Sequence, residues 1–159
     1  MANEGLDELM ARMARNKVPR RSFLAAAGLK RLGLATRIRS PLPPSLMLPA
    51  PGQGAITVEI LASDRATRDR LAVLDDAATR LAVTAERAAA RKVAGSCHAP
   101  FAAHARFGSD RRLRLEALVA DDAGRISRSE GEADVATEAE AIALGEDVAG
   151  RLDWSGPAQ

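Results

Sequence analysis

A proline-rich segment divides this chain and limits what the residues around it can form. Residues 40–51 (SPLPPSLMLPAP) contain five prolines in twelve positions. Proline has no backbone N–H and clashes with the preceding helical turn, so no regular helix can run through this stretch. We therefore expect an ordered loop or a linker there. Residues 56–60 (ITVEI) alternate and are rich in β-branched side chains, which predicts a strand directly after it.

The residues before the prolines predict short helix and strand elements, but not enough strands to form a sheet. Helical spacing of leucine and methionine indicates a helix over residues 4–17, and residues 22–27 (SFLAAA) are typical of a short buried strand or its exit into a helix. Residues 28–34 (GLKRLGL) predict a short helix closed by Gly33.

The second half of the chain predicts a complete small α+β layer. Its expected elements are a helix over 65–73 capped by Asp64, a helix from Asp75 or Asp76 to Val93, strands over 101–107, 112–120 and 125–131, and a helix over 137–152. Asp121 and Gly124 predict a hairpin turn between the last two strands. In the longer helix an apolar stripe of Ala78, Leu81, Ala85 and Ala88 should face the core, with Glu86 largely outside it.

The charge and aromatic content argue against several classes of partner. Among 159 residues, 23 Lys plus Arg oppose 21 Asp plus Glu, and the net charge of +2 favours neither nucleic acid nor a membrane surface. Aromatic residues make up 3% of the chain, too few for the stacking surfaces that single-stranded nucleic acid requires. No apolar run is long enough to span a bilayer.

Cysteine usage predicts a reducing compartment. The chain has one cysteine, which cannot form an internal disulfide, and its opening residues MANEGLDELM lack the pattern of a secretory signal. We therefore expect a cytoplasmic protein.

The single cysteine is the strongest candidate for chemistry. Cys97 lies in the sequence AGSCHAP, between the predicted long helix and the first strand. One interpretation is a small buried hydrophobe, since free cysteine is among the most buried residue types. The other is a reactive thiolate, favoured by the loop position, by adjacent His98 and by the preceding Arg91 and Lys92. Nucleophilic hydrolysis with His104 as base is a further alternative, although a histidine there is more often a surface residue.

A metal site is not expected. Cys97 and His98 are neighbours whose side chains diverge, and no carboxylate cluster completes a tetrahedral set with His104.

Four motifs together resemble one enzyme family. They are LAAAGLKRLG at 24–33, LPAPGQGA at 48–55, VTAERA at 83–88 and GSCHAP at 95–100. In this order and at these spacings they resemble hydroxymethylbilane synthase, also called porphobilinogen deaminase. The resemblance runs from about residue 23 to about residue 152, and it corresponds to the C-terminal half of the family's longer chain.

The resemblance implies a fold and a domain organisation. Members of the family have two α/β domains resembling periplasmic binding proteins, followed by a third domain of three antiparallel strands covered on one side by helices. Residues 1–54 would then be the last part of domain 2, residues 55–74 the return strand and helix of domain 1, and residues 75–159 domain 3. The fold class expected is therefore α/β with an α+β C-terminal domain.

The resemblance also implies a cofactor and the residues around it. The family's loop cysteine carries a dipyrromethane through a thioether, and by motif that residue is Cys97. Arg31 matches an arginine that contacts the pyrrole carboxylates, and Leu24, Gly28 and Gln53 match positions that line the cofactor. The catalytic aspartate belongs to the half of the family's chain that precedes the matched region.

The implied activity joins four porphobilinogen units, with loss of ammonia, into hydroxymethylbilane for tetrapyrrole and heme biosynthesis. We expect this chain alone to be inactive, because the acid that moves protons at the pyrrole amine is missing. A separate N-terminal half or self-association is the expected partner. The alternative is a non-enzymatic interaction module derived from the third domain, and nucleic-acid binding is weaker still, because acids are interspersed among the arginines.

Overall fold

The computed structural model describes residues 28–40, 43–93, 100–121 and 124–153. Its contacts divide the chain into two units, Met1–Met47 and Leu48–Gln159, which are considered separately below. The helix expected over 4–17, the segment 22–27, Leu24 and Cys97 lie outside the described residues. In the part of the chain that is described, no helix is long and apolar enough to cross a membrane.

The described part of the first unit begins with a helical turn that ends at Gly33. Residues 28–31 are helical. The N–H of Gly33 donates to the carbonyl of Lys30 (3.1 Å), and the N–H of Leu34 donates to the carbonyl of Leu29 (2.8 Å). This pair of bonds is a Schellman motif, which requires a left-handed residue, and Gly33 has φ 72°. The predicted closure of this helix by Gly33 is confirmed.

A short 3₁₀ helix, Ala35–Arg37, follows, and the proline-rich segment then forms turns. Backbone N–H groups of Leu46 and Met47 both donate to the carbonyl of Pro43, at 2.9 and 3.1 Å. The described residues between 40 and 51 include no helix, as the prolines predict.

The strand expected over residues 56–60 is not formed. The structure assigns no strand to residues 55–60, and the side chains of Ile56 and Val58 are 79% and 59% exposed. A strand exists only when a neighbouring strand accepts and donates its backbone hydrogen bonds. The three described strands of the second unit pair with one another and none of them pairs with this segment, so its β-branched residues belong to no sheet.

The second unit contains the two helices that were expected before the sheet. Helix α1 is Arg65–Leu71, continued by a 3₁₀ turn Ala72–Leu74. Its N-cap is Asp64, whose Oδ1 accepts from the N–H of Thr67 at 3.0 Å. Helix α2 is Ala77–Val93, and Asp76 Oδ1 accepts from the N–H of Thr79 at 2.7 Å. Both aspartate caps were predicted from the sequence and are confirmed.

Three antiparallel strands form one sheet in the order β1-β2-β3. They are β1 Phe101–Phe107, β2 Leu113–Ala120 and β3 Ile126–Ala133. Phe101 pairs with Val119, and Leu113 pairs with Ala133. The predicted hairpin is confirmed: Gly124, at φ 78°, donates its N–H to the carbonyl of Asp121 at 2.9 Å.

Helix α3, Glu138–Gly150, completes the layer. Thr137 and Glu140 form a capping box at its start, each side chain accepting from the other residue's backbone N–H. Helices α2 and α3 pack on each other and on one face of the sheet, and alternate residues of β2 are buried between them. The core includes Leu113, Leu115, Ala117 and Val119 of β2 with Leu81, Ala85, Ala141, Leu144 and Val148 of the helices. The expected fold class, with helices covering a three-stranded antiparallel sheet, is confirmed.

Candidate functional site

The five predicted site residues divide between described and undescribed parts of the chain. Cys97 and Leu24 lie outside the described residues. Gly28 and Arg31 belong to the first unit, and Gln53 belongs to the second.

Arg31 and Gly28 occupy the helical turn of the first unit. Arg31 is exposed, and no carboxylate of a described residue pairs with it. A Cβ built on Gly28 would meet no atom of a described residue within 4 Å, so the described part of the first unit leaves space open beside this turn. An exposed guanidinium beside open space fits a ligand that carries carboxylates, because its planar N–H groups can hold a carboxylate with two bonds.

The described part of the first unit is cationic, although the chain as a whole is nearly neutral. Its described residues include Lys30, Arg31, Arg37 and Arg39 but no aspartate or glutamate. Over residues 9–58 the sequence contains nine lysines and arginines and no acid. A count of charge by segment would have revealed this from the sequence alone.

Gln53 lies in two overlapping turns built on glycines. The carbonyl of Ala50 accepts from the N–H of Gln53 at 3.0 Å, and the carbonyl of Gly52 accepts from the N–H of Ala55 at 3.0 Å. Gly52 and Gly54 have φ values of 72° and 84° at the third position of each turn, which is where a type II turn needs glycine. We call residues 50–55 the glycine turn.

The side chain of Gln53 is exposed and folds back onto its own turn. Its Oε1 accepts from the N–H of Ala50 at 3.1 Å. The same residue thus closes the turn through its backbone and through its side chain, which fixes the direction of the amide group.

Glu86 is the residue that sequence reasoning placed wrongly. It was expected to lie outside the apolar stripe of α2, yet it is 0% exposed. Its Oε2 accepts from the N–H of Gly52 at 2.7 Å, and its Oε1 accepts from the N–H of Ala105 at 2.6 Å. We call these two hydrogen bonds the Glu86 bridge. Helical spacing places Glu86 on the same face of α2 as Ala82, four residues before it, and Ala89, three residues after it. Both alanines are buried, so this spacing was the signal that could have indicated a buried Glu86.

A second expectation on the stripe was also wrong. Ala78, assigned to the core face of α2, is exposed, whereas Leu81, Ala85 and Ala88 are buried as predicted. Ala78 lies in the first turn of the helix, one turn before the first buried residue, so the core begins later than the apolar pattern does.

His104 is buried and not a surface histidine as the sequence suggested. It is 6% exposed, and its Nδ1 lies 3.9 Å from Glu86 Oε1. Cys97, the partner expected for nucleophilic hydrolysis, lies outside the described residues. Within the described ranges, no three His, Cys, Asp or Glu side chains are grouped closely enough to hold a metal ion.

Two family models match consecutive parts of the chain. "Porphobilinogen deaminase, dipyromethane cofactor binding domain" matches residues 8–69, and "Porphobilinogen deaminase, C-terminal domain" matches residues 80–153. The first model describes a cofactor-binding domain, and the second, which covers the three strands and α3, describes the C-terminal domain of the same protein.

Curated relatives carry the same name. A porphobilinogen deaminase of Ralstonia nicotianae is 50% identical over 131 residues, which are 82% of this chain and 39% of the relative. One from Bordetella parapertussis is 56% identical over 108 residues (67% and 34%), and one from Burkholderia thailandensis is 46% identical over 134 residues (84% and 41%). The chain belongs to the porphobilinogen deaminase family, and it spans about two fifths or less of the length of these relatives.

Proposed function

We propose that this chain is the C-terminal part of a porphobilinogen deaminase, or hydroxymethylbilane synthase, which joins four porphobilinogen units with loss of ammonia in tetrapyrrole and heme biosynthesis. The observation that carries the proposal is the match of two family models, in order, to residues 8–69 and 80–153. The domain limits expected from the motifs, 1–54, 55–74 and 75–159, belong to this proposal, as does a location in the cytoplasm.

Cys97 is the proposed attachment point of a dipyrromethane cofactor. It is the only cysteine of the chain and follows α2 by four residues, in the motif GSCHAP. A thiolate is the nucleophile suited to forming a stable thioether with an electrophilic pyrrole methylene. Once bound, dipyrromethane supplies the pyrrole end from which the chain of four units is built.

The described residues have complementary roles in this proposal. Arg31 is exposed and, among described residues, not paired with a carboxylate, which suits it to binding the acetate and propionate groups of the pyrroles. Gly28 leaves open space among the described residues beside it. Leu24, outside the described residues, is proposed to line the cofactor because its motif matches the family's. Gln53, held by the glycine turn, is proposed to line the cofactor because its motif matches the family's. None of these groups transfers a proton.

The chain alone is proposed to lack activity. Ammonia leaves the substrate only if the amine receives a proton, and the resemblance places the family's acid before the region that this chain matches. Binding residues without the acid position a substrate but do not complete the reaction.

The test compares the chain alone with the chain co-expressed beside the missing N-terminal part of the Ralstonia nicotianae relative. Intact mass spectrometry of the purified protein measures a two-pyrrole adduct, and a colorimetric assay measures porphobilinogen consumption. We expect no turnover by the chain alone. With the N-terminal part, we expect turnover and an adduct, both of which disappear in the Cys97→Ser variant.

A Cys97→Ser variant that keeps the adduct would refute the attachment point. Turnover by the isolated chain would refute the requirement for the missing part. A stable co-expressed pair with neither adduct nor turnover would contradict the enzyme assignment itself.

A second candidate, an interaction module, is supported by the exposed apolar side chains of the second unit. Val73, Leu61 and Leu74 are 84%, 76% and 66% exposed, in addition to Ile56 and Val58. Where such side chains form a contiguous patch, the patch marks a surface that binds other protein. Analytical ultracentrifugation that shows a monomer over a wide concentration range would count against self-association through these residues.

A further inference from the structure

Glu86 is a buried carboxylate, and hydrogen bonds replace the hydration that it has lost. A carboxylate removed from water loses its hydration, and this loss is tolerated only where other donors replace the water. Glu86 is 0% exposed on the core face of α2, and each of its oxygens accepts a backbone N–H at 2.6 to 2.7 Å. These distances are typical of strong bonds to a charged acceptor.

The two donors come from separate parts of the second unit. Ala105 belongs to β1, the edge strand of the sheet, and its N–H points away from β2. Gly52 belongs to the glycine turn, 34 residues before Glu86. One carboxylate therefore joins a helix, a sheet edge and a turn.

A further bond attaches the same loop to the same strand. The N–H of Ala103 donates to the carbonyl of Pro49 at 3.1 Å. Residues 49–52 thus lie along the edge of β1 with one attachment at each end, the carbonyl of Pro49 and the N–H of Gly52. The two attachments fix the position of the residue that follows, Gln53.

We propose that Glu86 is a positioning residue, whose bridge to Gly52 and Ala105 holds the glycine turn against the three-stranded sheet and so sets the position of Gln53. The relevance to cofactor binding rests on the proposed function, whereas the bridge itself does not. α2 and β1 are also the two elements that flank residues 94–99 in sequence. The bridge therefore connects the glycine turn to both elements from which the Cys97 segment extends.

Glutamate suits this role because it is acceptor-only when ionised. Glutamine has nearly the same shape but carries one acceptor and one NH₂ donor. In Glu86→Gln, one of the two backbone N–H groups must face another donor, and one hydrogen bond is lost. The variant thus removes one bond of the bridge while leaving packing nearly unchanged.

The first experiment measures amide hydrogen exchange by NMR in the 159-residue chain. In the native protein we expect the Gly52 amide to be protected to the same degree as that of Ala105. In Glu86→Gln we expect the Gly52 or the Ala105 amide to exchange at least 10-fold faster, while amides of the β2–β3 ladder, such as that of Ala117, change by less than about 3-fold. Glu146→Gln, at an exposed glutamate of α3, is the matched control and should alter neither.

A native Gly52 amide that exchanges as in an unfolded chain would overturn the proposal, and this measurement needs no variant. Uniformly faster exchange across the sheet in Glu86→Gln would also overturn it, since that result describes a residue that stabilises the whole unit rather than one that positions the turn.

The second experiment addresses the cofactor. With the N-terminal part of the Ralstonia nicotianae relative present, we expect the fraction of chains carrying a two-pyrrole adduct to fall at least 10-fold in Glu86→Gln and to be unchanged in Glu146→Gln. Equal adduct in all three proteins would refute a role toward the cofactor. Absence of adduct from the native pair would contradict the proposed function, and the exchange measurements would still decide whether Glu86 positions the turn.

Discussion

Gly145 lies where α2 and α3 approach most closely, and adding one methyl group there is a sharp test of the packing. A Cβ built on Gly145 would overlap the backbone carbonyl oxygen of Ala85 and would lie 2.8 Å from Ala88 Cβ and 3.0 Å from Ala89 N. Favourable carbon–carbon contacts begin near 3.5 Å, so the helices must separate by about 0.7 Å or more to accept the methyl group. Two of the three nearest atoms are backbone and cannot rotate away.

The expected cost follows from two opposing effects. Overpacking a core typically costs about 1–3 kcal/mol, and contact with a backbone carbonyl places this site at the upper end. Replacing glycine with alanine inside a helix returns about 1 kcal/mol through helix propensity. We therefore expect Gly145→Ala to lower the free energy of unfolding by about 2 kcal/mol. For a unit of this size, that is a fall in Tm of roughly 8–16 °C.

Gly150→Ala supplies the matched control in the same helix. A Cβ at Gly150 would lie 3.7 Å from Lys92 Cε, an ordinary contact. Only the higher helix propensity of alanine then changes the stability. We expect the free energy of unfolding to be unchanged or to rise by up to about 0.5 kcal/mol at this terminal position. Urea unfolding followed by far-UV circular dichroism measures both variants. A Gly145→Ala protein as stable as the native one, or more stable, would refute the close approach of the two helices.

Two helix caps give predictions on pKa and stability. The hydroxyl and N–H of Thr67 donate to Asp64 and lower the pKa of that carboxyl, so Thr67→Val should raise it part of the way to its ordinary value, as measured by carbon-detected NMR titration. Thr137→Ala removes the cap of α3 and should cost about 1 kcal/mol in urea unfolding, whereas an unchanged midpoint would contradict the capping box. The N–H groups of Ala136 and Thr137 lower the pKa of Glu140 below its ordinary 4.5, so its contribution is complete above pH 4.5 and is lost as the pH falls through the lowered value. Stability of Glu140→Gln should therefore depend less on pH in that acidic range, and an unaltered pH profile would contradict the assignment.

The α+β layer was predictable because its signals are local. Alternation in β2, the turn between Asp121 and Gly124, and aspartate caps at Asp64 and Asp76 each depend on residues within a few positions of one another. All appear in the structure at nearly the predicted positions, and β1 has the predicted bounds. A pattern that a few residues carry by themselves can be interpreted without knowing the rest of the fold.

Residues 56–60 show where this reasoning fails. Their composition describes a side-chain preference for a sheet, but a strand also needs a partner whose position the segment does not encode. In the described part of this chain no partner is placed beside it, and Ile56 and Val58 are exposed.

The prediction for Glu86 was wrong for a different reason. Charged residues lie at the surface in most proteins, so the sequence predicts an exposed Glu86. The structure instead provides two backbone N–H donors for it, one at a sheet edge and one in a turn 34 residues earlier in the chain. The partners of Glu86 are long-range backbone groups, which carry no side-chain signal in the sequence.

Net charge differs between segments of this chain. Nucleic-acid binding was not expected because acidic residues are interspersed among the arginines. This holds for residues 59–159 but not for residues 9–58, which contain nine lysines and arginines and no aspartate or glutamate. Like charges in one segment repel unless anions lie between them, so this segment favours an anionic ligand. The scarcity of aromatic residues still argues against nucleic acid, because Phe23 is the only aromatic residue of that segment and stacking on nucleobases needs several. The proposed ligand, which is small and rich in carboxylates, would satisfy both observations, since it would neutralise arginines such as Arg31 without requiring a stacking surface.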